Sequence, residues 1–77
     1  MRILDKKIEE LPHKMGGGFY SIYYFDNGYY AIKLENNEIA VYISHGNQAN
    51  ESVTKNLSQI VREYDEDLNK GFVIVRR

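Results

Sequence analysis

A chain of 77 residues with a net charge of −1 and no cysteine has the size of one domain, and one this small buries only about 60% of its unfolded surface. Without cysteine, a disulfide framework and a thiolate zinc site are excluded, so stability must come from packing or association. Ten basic residues against eleven acidic ones exclude the broad electrostatic footprint of a nucleic-acid binder, though not a local basic patch.

The first segment, Met1 to Leu11, reads as a helix. Leu4, Ile8 and Leu11 recur at helical spacing, Asp5/Glu9 and Lys6/Glu10 stand four apart, and Pro12 ends the pattern. The segment lacks the apolar run of a signal peptide, and no stretch approaches membrane-spanning length, so a cytoplasmic location is expected. Gly16 to Gly18 read as a hinge that lets this helix fold back over the strands C-terminal to it.

Three runs rich in β-branched and aromatic residues come next: Phe19 to Phe25, Tyr29 to Leu34 and Glu38 to Ser44. Asn27-Gly28 and Asn36-Asn37 suit two-residue hairpin loops, which pair Phe25 with Tyr30, Tyr23 with Ile32, and Leu34 with Ile39. One face then collects Phe19, Tyr23, Phe25, Tyr30, Ile32, Leu34, Ile39, Val41 and Ile43 as a core layer. The opposite face collects Tyr20, Ile22, Tyr24, Tyr29, Ala31, Lys33, Ala40 and Tyr42. Large, rigid rings that can hydrogen bond are enriched at interfaces, so Tyr20, Tyr24, Tyr29 and Tyr42 are candidate partner-binding residues, for another protein or for a second copy in a homodimer.

After a loop at His45 to Gln48, Asn50 can cap a helix from Glu51 to about Leu68. Its stripe of Val53, Leu57, Ile60, Val61, Tyr64 and Leu68 is wide enough to cover the core face of the sheet. Asn69-Lys70-Gly71 closes this helix, with Gly71 as its left-handed cap, and Phe72 to Val75 reads as a short fourth strand before Arg76-Arg77. The expected fold is an α+β single domain ordered α-β-β-β-α-β, in two layers.

No catalytic constellation is legible. His13 and His45 lack a local metal-ligand companion, and both read as exposed loop residues. The glycine run lacks the lysine and hydroxyl residue of a phosphate loop. Sequential carboxylates at Asp65, Glu66 and Asp67 diverge around a helix and cannot form a glycosidase-like pair. The expectation is a protein that is not an enzyme and uses no cofactor or metal. Those carboxylates and Glu63 would lie in the last turn of the helix, where the dipole favours cations. This placement suggests an acidic patch for a basic partner surface, with Glu35 and Glu38 as additions.

The residues Ala31-Ile32-Lys33-Leu34-Glu35-Asn36-Asn37, Val41-Tyr42-Ile43-Ser44, Asn50-Glu51-Ser52-Val53 and Glu63-Tyr64-Asp65-Glu66-Asp67, in this order of elements, resemble the small phage-encoded anti-CRISPR inhibitors of type II CRISPR nucleases. The resemblance implies a viral protein acting in the host-cell cytoplasm by binding a nuclease. It also implies that Asn36, Asn37, Glu38, Asp65, Glu66 and Asp67 contact the partner. The stretch from Tyr20 to Val75, with Asp26-Asn27-Gly28-Tyr29-Tyr30 and Gly46, is similar to HicB-type antitoxins. The α-β-β-β-α order is also similar to double-stranded RNA-binding domains, although Asn50 to Asn56 supplies only Lys55 for phosphates. The expected function is therefore non-catalytic inhibition or regulation of a protein partner. The alternative is a nucleic-acid module that stacks bases on the tyrosines beside Lys33 and the terminal arginines.

Overall fold

The computed structural model describes residues 2–75, with side chains at 2–43 and 45–68. Four strands form one antiparallel sheet in sequential order: β1 (Ile3–Glu10), β2 (Phe19–Phe25), β3 (Tyr30–Leu34) and β4 (Ile39–Tyr42). Among the described residues one α-helix, α1 (Glu51–Val75), follows the strands and lies on one face. The α+β class is as expected, but the element order is not.

The first segment is a strand. β1 pairs with β2 from Glu10 opposite Phe19 to Asp5 opposite Tyr24, with a bulge between Ile3 and Asp5. The helical spacing of Leu4, Ile8 and Leu11 was outweighed by tertiary pairing, as intrinsic propensity commonly is. Gly16 to Gly18 are accordingly no hinge over the sheet. They belong to the β1–β2 connection, which holds a 3-10 turn at His13–Met15 and is closed by Leu11 N–H donating to Gly18 C=O at 2.8 Å. Gly18 has φ of +85°, and a Cβ there would collide with the Glu35 carboxylate.

Both later hairpins are one residue longer than expected. Phe25 N–H donates to Tyr29 C=O at 2.9 Å, and Leu34 N–H to Glu38 C=O at 2.9 Å. The loops are therefore Asp26-Asn27-Gly28 and Glu35-Asn36-Asn37. Each ends in a left-handed residue, Gly28 at φ +88° and Asn37 at φ +71°, as the three-residue hairpin class requires. The actual pairs are Tyr24 with Tyr30, Tyr23 with Ala31, and Ile22 with Ile32. Across the next hairpin, Tyr30 meets Tyr42, Ala31 meets Val41, and Lys33 meets Ile39.

A slip of one residue reverses a strand's faces. Tyr30, Ile32 and Leu34 thus leave the expected core layer for the outer face, while Tyr29, Ala31 and Lys33 turn inward. The second slip cancels the first at β4, so Ile39 and Val41 are inner, as expected. The core comprises Tyr23, Phe25, Ala31 and Val41 of the sheet with Leu57 and Val61 of α1. Around it pack Ile3, Tyr29, Ile39, Ala49, Val53, Ile60 and Tyr64.

Helix α1 starts where expected, because Asn50 Oδ1 accepts Val53 N–H at 2.9 Å. It ends later, at Val75, so Gly71 does not terminate it and Phe72 to Val75 form no fourth strand. Arg76 and Arg77 lie outside the described residues. The carboxylates at 63–67 consequently occupy the interior of the helix, and the dipole argument for their misplacement lapses.

The register predicts that Ala31→Leu, which adds bulk at a fully buried site, lowers stability by about 1–3 kcal/mol. Urea denaturation measures this directly. An unchanged midpoint would put Ala31 on the surface.

Candidate functional site

The outer face of the sheet is a grid of rows crossing the strands. Along one row run Asp5, Tyr24, Tyr30 and Tyr42; along the next, Lys7, Ile22, Ile32 and Ala40; along the third, Glu9, Tyr20 and Leu34. Tyr24 and Tyr30 have ring centroids 6.3 Å apart, and Tyr30 and Tyr42 stack at 5.4 Å with planes inclined by 25°. Lys7 Nζ lies 5.8 Å from the Tyr24 ring and extends the ladder to β1. Leu11, Pro12 and Met15 of the β1–β2 connection stand beside Tyr20, Ile32 and Leu34 and wall the face at one end. Helix α1 packs on the other side, so among the described residues no element covers this layer. Its side chains shield one another, yet Tyr24 and Leu34 each remain 37% exposed.

The inner face holds the polar centre of the molecule. Asp65 on α1 accepts Lys6 Nζ at 2.8 Å on Oδ1, Lys33 Nζ at 2.8 Å on Oδ2, and the Tyr23 hydroxyl at 2.6 Å on Oδ2. Strands β1, β2 and β3 are thereby tied to one carboxylate. Burial pushes the Asp65 carboxyl up, but the bonds from Lys33, Lys6 and Tyr23 outweigh it and hold the group below its usual range. Burial, and then Asp65 as acceptor and as a nearby negative charge, push the Tyr23 hydroxyl far above its ordinary value. Lys6 Nζ also lies 5.2 Å from the Tyr23 ring centroid, and the Tyr23 and Tyr64 rings meet in a T-shaped contact. The arrangement is a structural clasp whose groups face one another.

Of the expected partner-binding residues, Tyr20, Tyr24 and Tyr42 share the outer face. Tyr29 does not; it packs inward against the core, and Tyr30 takes its place outside. Asn36 is engaged locally: its Oδ1 accepts Glu38 N–H at 3.0 Å and its Nδ2 donates to Glu38 Oε1. Asn37 supplies the left-handed backbone of the loop. Glu38 borders the outer face beside Ile32, Leu34, Ala40 and Tyr42. Asp65 is consumed by the clasp. Glu66 and Asp67 are exposed on α1, and Asp67 borders a shallow groove with Arg2, Ile3, Ile60, Glu63 and Tyr64. The carboxylates of the hairpin and of the helix therefore lie on different faces and do not converge. Lys33, expected outside, is spent on Asp65.

His13 and His45 are exposed in separate turns, His45 with φ of +74°. Among the described residues, no helix is long and apolar enough to cross a membrane, and no histidine–carboxylate group has the makings of a metal site. No protein family, curated protein or solved structure matches the chain. The geometry alone must carry the functional reading.

Three outer-face residues, Tyr30, Ile32 and Leu34, were missed from sequence. All three would have been placed outside by a loop ending on Gly28, since glycine at the third loop position signals the longer hairpin.

Replacing Asp65 by Ala strands two ammonium groups and a hydroxyl, and should cost about 2 kcal/mol, discounted for partial exposure. Because the folded carboxyl sits below its unfolded value, its contribution is complete at neutral pH. It declines as pH falls through the ordinary value of 3.8 and vanishes below the depressed folded value. Denaturation of wild type and Asp65→Ala across this range should give midpoints that converge towards acid; a constant gap would contradict the clasp.

Proposed function

We propose that the chain is a non-catalytic binding protein that acts on a protein partner through the outer face of its sheet. The observation supporting this reading is the inversion of β3. That strand turns its large apolar residues, Tyr30, Ile32 and Leu34, away from the core, while Ala31 and Lys33 point inward. Folding alone favours the opposite arrangement, and departures from local preference concentrate at functional surfaces. The resulting patch has Ile22 and Ile32 at its centre, the aromatic ladder along one side, Tyr20 and Leu34 along the other, and charge at its margins, in Asp5, Lys7, Glu9 and Glu38. This is the anatomy of a protein-docking surface, with apolar anchors inside a polar rim.

A nucleic-acid role draws less support. Stacking platforms need cations beside the rings, and the basic residue on this face within the strands is Lys7, flanked by Asp5 and Glu9. In its specific form, the proposal is inhibition or regulation of a host defence nuclease. Contact would then run through the tyrosine ladder, since Asp65 is committed to Lys6 and Lys33 and is a poor phosphate mimic.

Capture of a partner from bacterial lysate, followed by affinity measurement on that partner, tests the reading. Tyr30→Ala/Tyr42→Ala should weaken binding by about thirtyfold or more, the loss expected when two stacked aromatic anchors are removed. Glu66→Ala/Asp67→Ala should leave it within about threefold. The converse result would move the site to the helix. Tight, steeply salt-dependent binding to oligonucleotides, with no protein captured, would replace the proposal by the nucleic-acid reading.

A further inference from the structure

The two edges of the sheet differ. β4 is occupied along its outer side, where Ala49 N–H donates to Val41 C=O at 2.9 Å, Ile43 N–H donates to Asn47 C=O at 2.8 Å, and Gln48 bridges Tyr42. β1 is open: among the described residues, nothing pairs with its outer edge. The bond from Leu11 N–H to Gly18 C=O sets the phase of the hairpin. Odd-numbered residues of β1 bond to β2, and the backbone groups of Lys6, Ile8 and Glu10 point outward. The Lys6 N–H fits this phase, since it is satisfied locally by Asp5 Oδ1 at 2.9 Å.

The sequence along this edge is Lys6-Lys7-Ile8-Glu9-Glu10, two positive charges, an apolar residue and two negative charges. Read antiparallel against itself about Ile8, it is complementary at every position. We propose that β1 pairs with β1 of a second copy about a two-fold axis at Ile8, joining two sheets into one. Lys6 then faces Glu10 of the second copy on the inner side, and Lys7 faces Glu9 of the second copy on the outer side. Ile8 meets its own counterpart in a hydrogen-bonded pair, and Asp5 releases the Lys6 N–H.

Adjacent registers are disfavoured by the same charges. An axis at Lys7 opposes the two Lys7 ammoniums and sets Asp5 against Glu9; an axis at Glu9 opposes the two Glu9 carboxylates. Charge on an edge strand ordinarily discourages pairing. Here its order discourages both adjacent registers and favours the one centred on Ile8. The chosen register also covers exposed apolar surface, because Ile8, 65% exposed, lies on the inner side beside Phe19, 52% exposed. In the joined sheet the two Ile8 side chains meet at the axis, each flanked by Phe19 of its own copy. The pairing is independent of what the outer face binds, although it would double that face into one continuous surface.

Charge reversal at Lys7 and Glu9 tests the proposal, since both are exposed and outside the Asp65 clasp. Sedimentation should find wild type dimeric at about 1 mM, well above a micromolar Kd, with association weakening in salt. Lys7→Glu and Glu9→Lys should each weaken association by about tenfold or more, because each sets two like-charged pairs opposite one another. An equimolar mixture of these two variants should associate again, as should the double variant Lys7→Glu/Glu9→Lys. Glu9→Lys leaves the Lys7–Tyr24 contact intact and stands alone if Lys7→Glu fails to fold. A monomeric wild type, a dimer indifferent to both reversals, or a dimer lost in Tyr30→Ala/Tyr42→Ala but kept in Glu9→Lys would overturn the proposal.

Discussion

Two three-residue loops, each closed by a left-handed residue, fix the phase of β3, and that phase sets the composition of both faces. With Gly28 and Asn37 in the left-handed positions, Ala31 and Lys33 face the helix and Tyr30, Ile32 and Leu34 face away. A sheet strand normally buries its larger apolar residues. β3 does the reverse, which leaves the outer layer richer in aromatic and aliphatic side chains than the stability of so small a chain requires.

The inner consequence of the same phase is the Asp65 clasp. An inward Lys33 is tolerable because Asp65 meets it, and the inward Lys6 of β1 meets the same carboxylate. The residue that looks from sequence like part of a solvent-facing acidic patch is thus the hinge pin between helix and sheet. Burying charge to this extent adds little net stability. In this molecule, it accommodates the inward Lys33 that the loops impose. The aromatic ladder outside and the ion cluster inside are two results of one choice.

Much of this was legible in the sequence. The strand-forming runs locate β2, β3 and β4, Asn50 marks the helix start, and Tyr23, Val41, Leu57 and Val61 are core as the patterns require. Three features were hidden for physical reasons. β1 is mostly aspartate, lysine and glutamate, which have poor strand propensity, and its bulge at Leu4 breaks the period of two, so the helical spacing of its aliphatic residues is the stronger local pattern. Asn27-Gly28 and Asn36-Asn37 suit a two-residue loop as well as the end of a three-residue one, and the shorter loop has the added plausibility of burying Tyr30, Ile32 and Leu34. The role of Asp65 depends on lysines 32 and 59 positions away, which no local pattern connects. The tyrosine face survived these errors because β2 and β4 kept their phase; it exchanged Tyr29 for Tyr30.

The phase of β3 can be read most directly by NMR in D2O. In antiparallel sheets the α protons of non-hydrogen-bonded pairs lie closest, and the bond from Phe25 to Tyr29 assigns that class to Tyr24–Tyr30 and Ile22–Ile32. Strong α–α cross-peaks between these pairs are expected. Cross-peaks joining residues in the other phase, such as Phe25 with Tyr30 or Tyr23 with Ile32, would contradict the inverted strand, and with it both the clasp and the docking face.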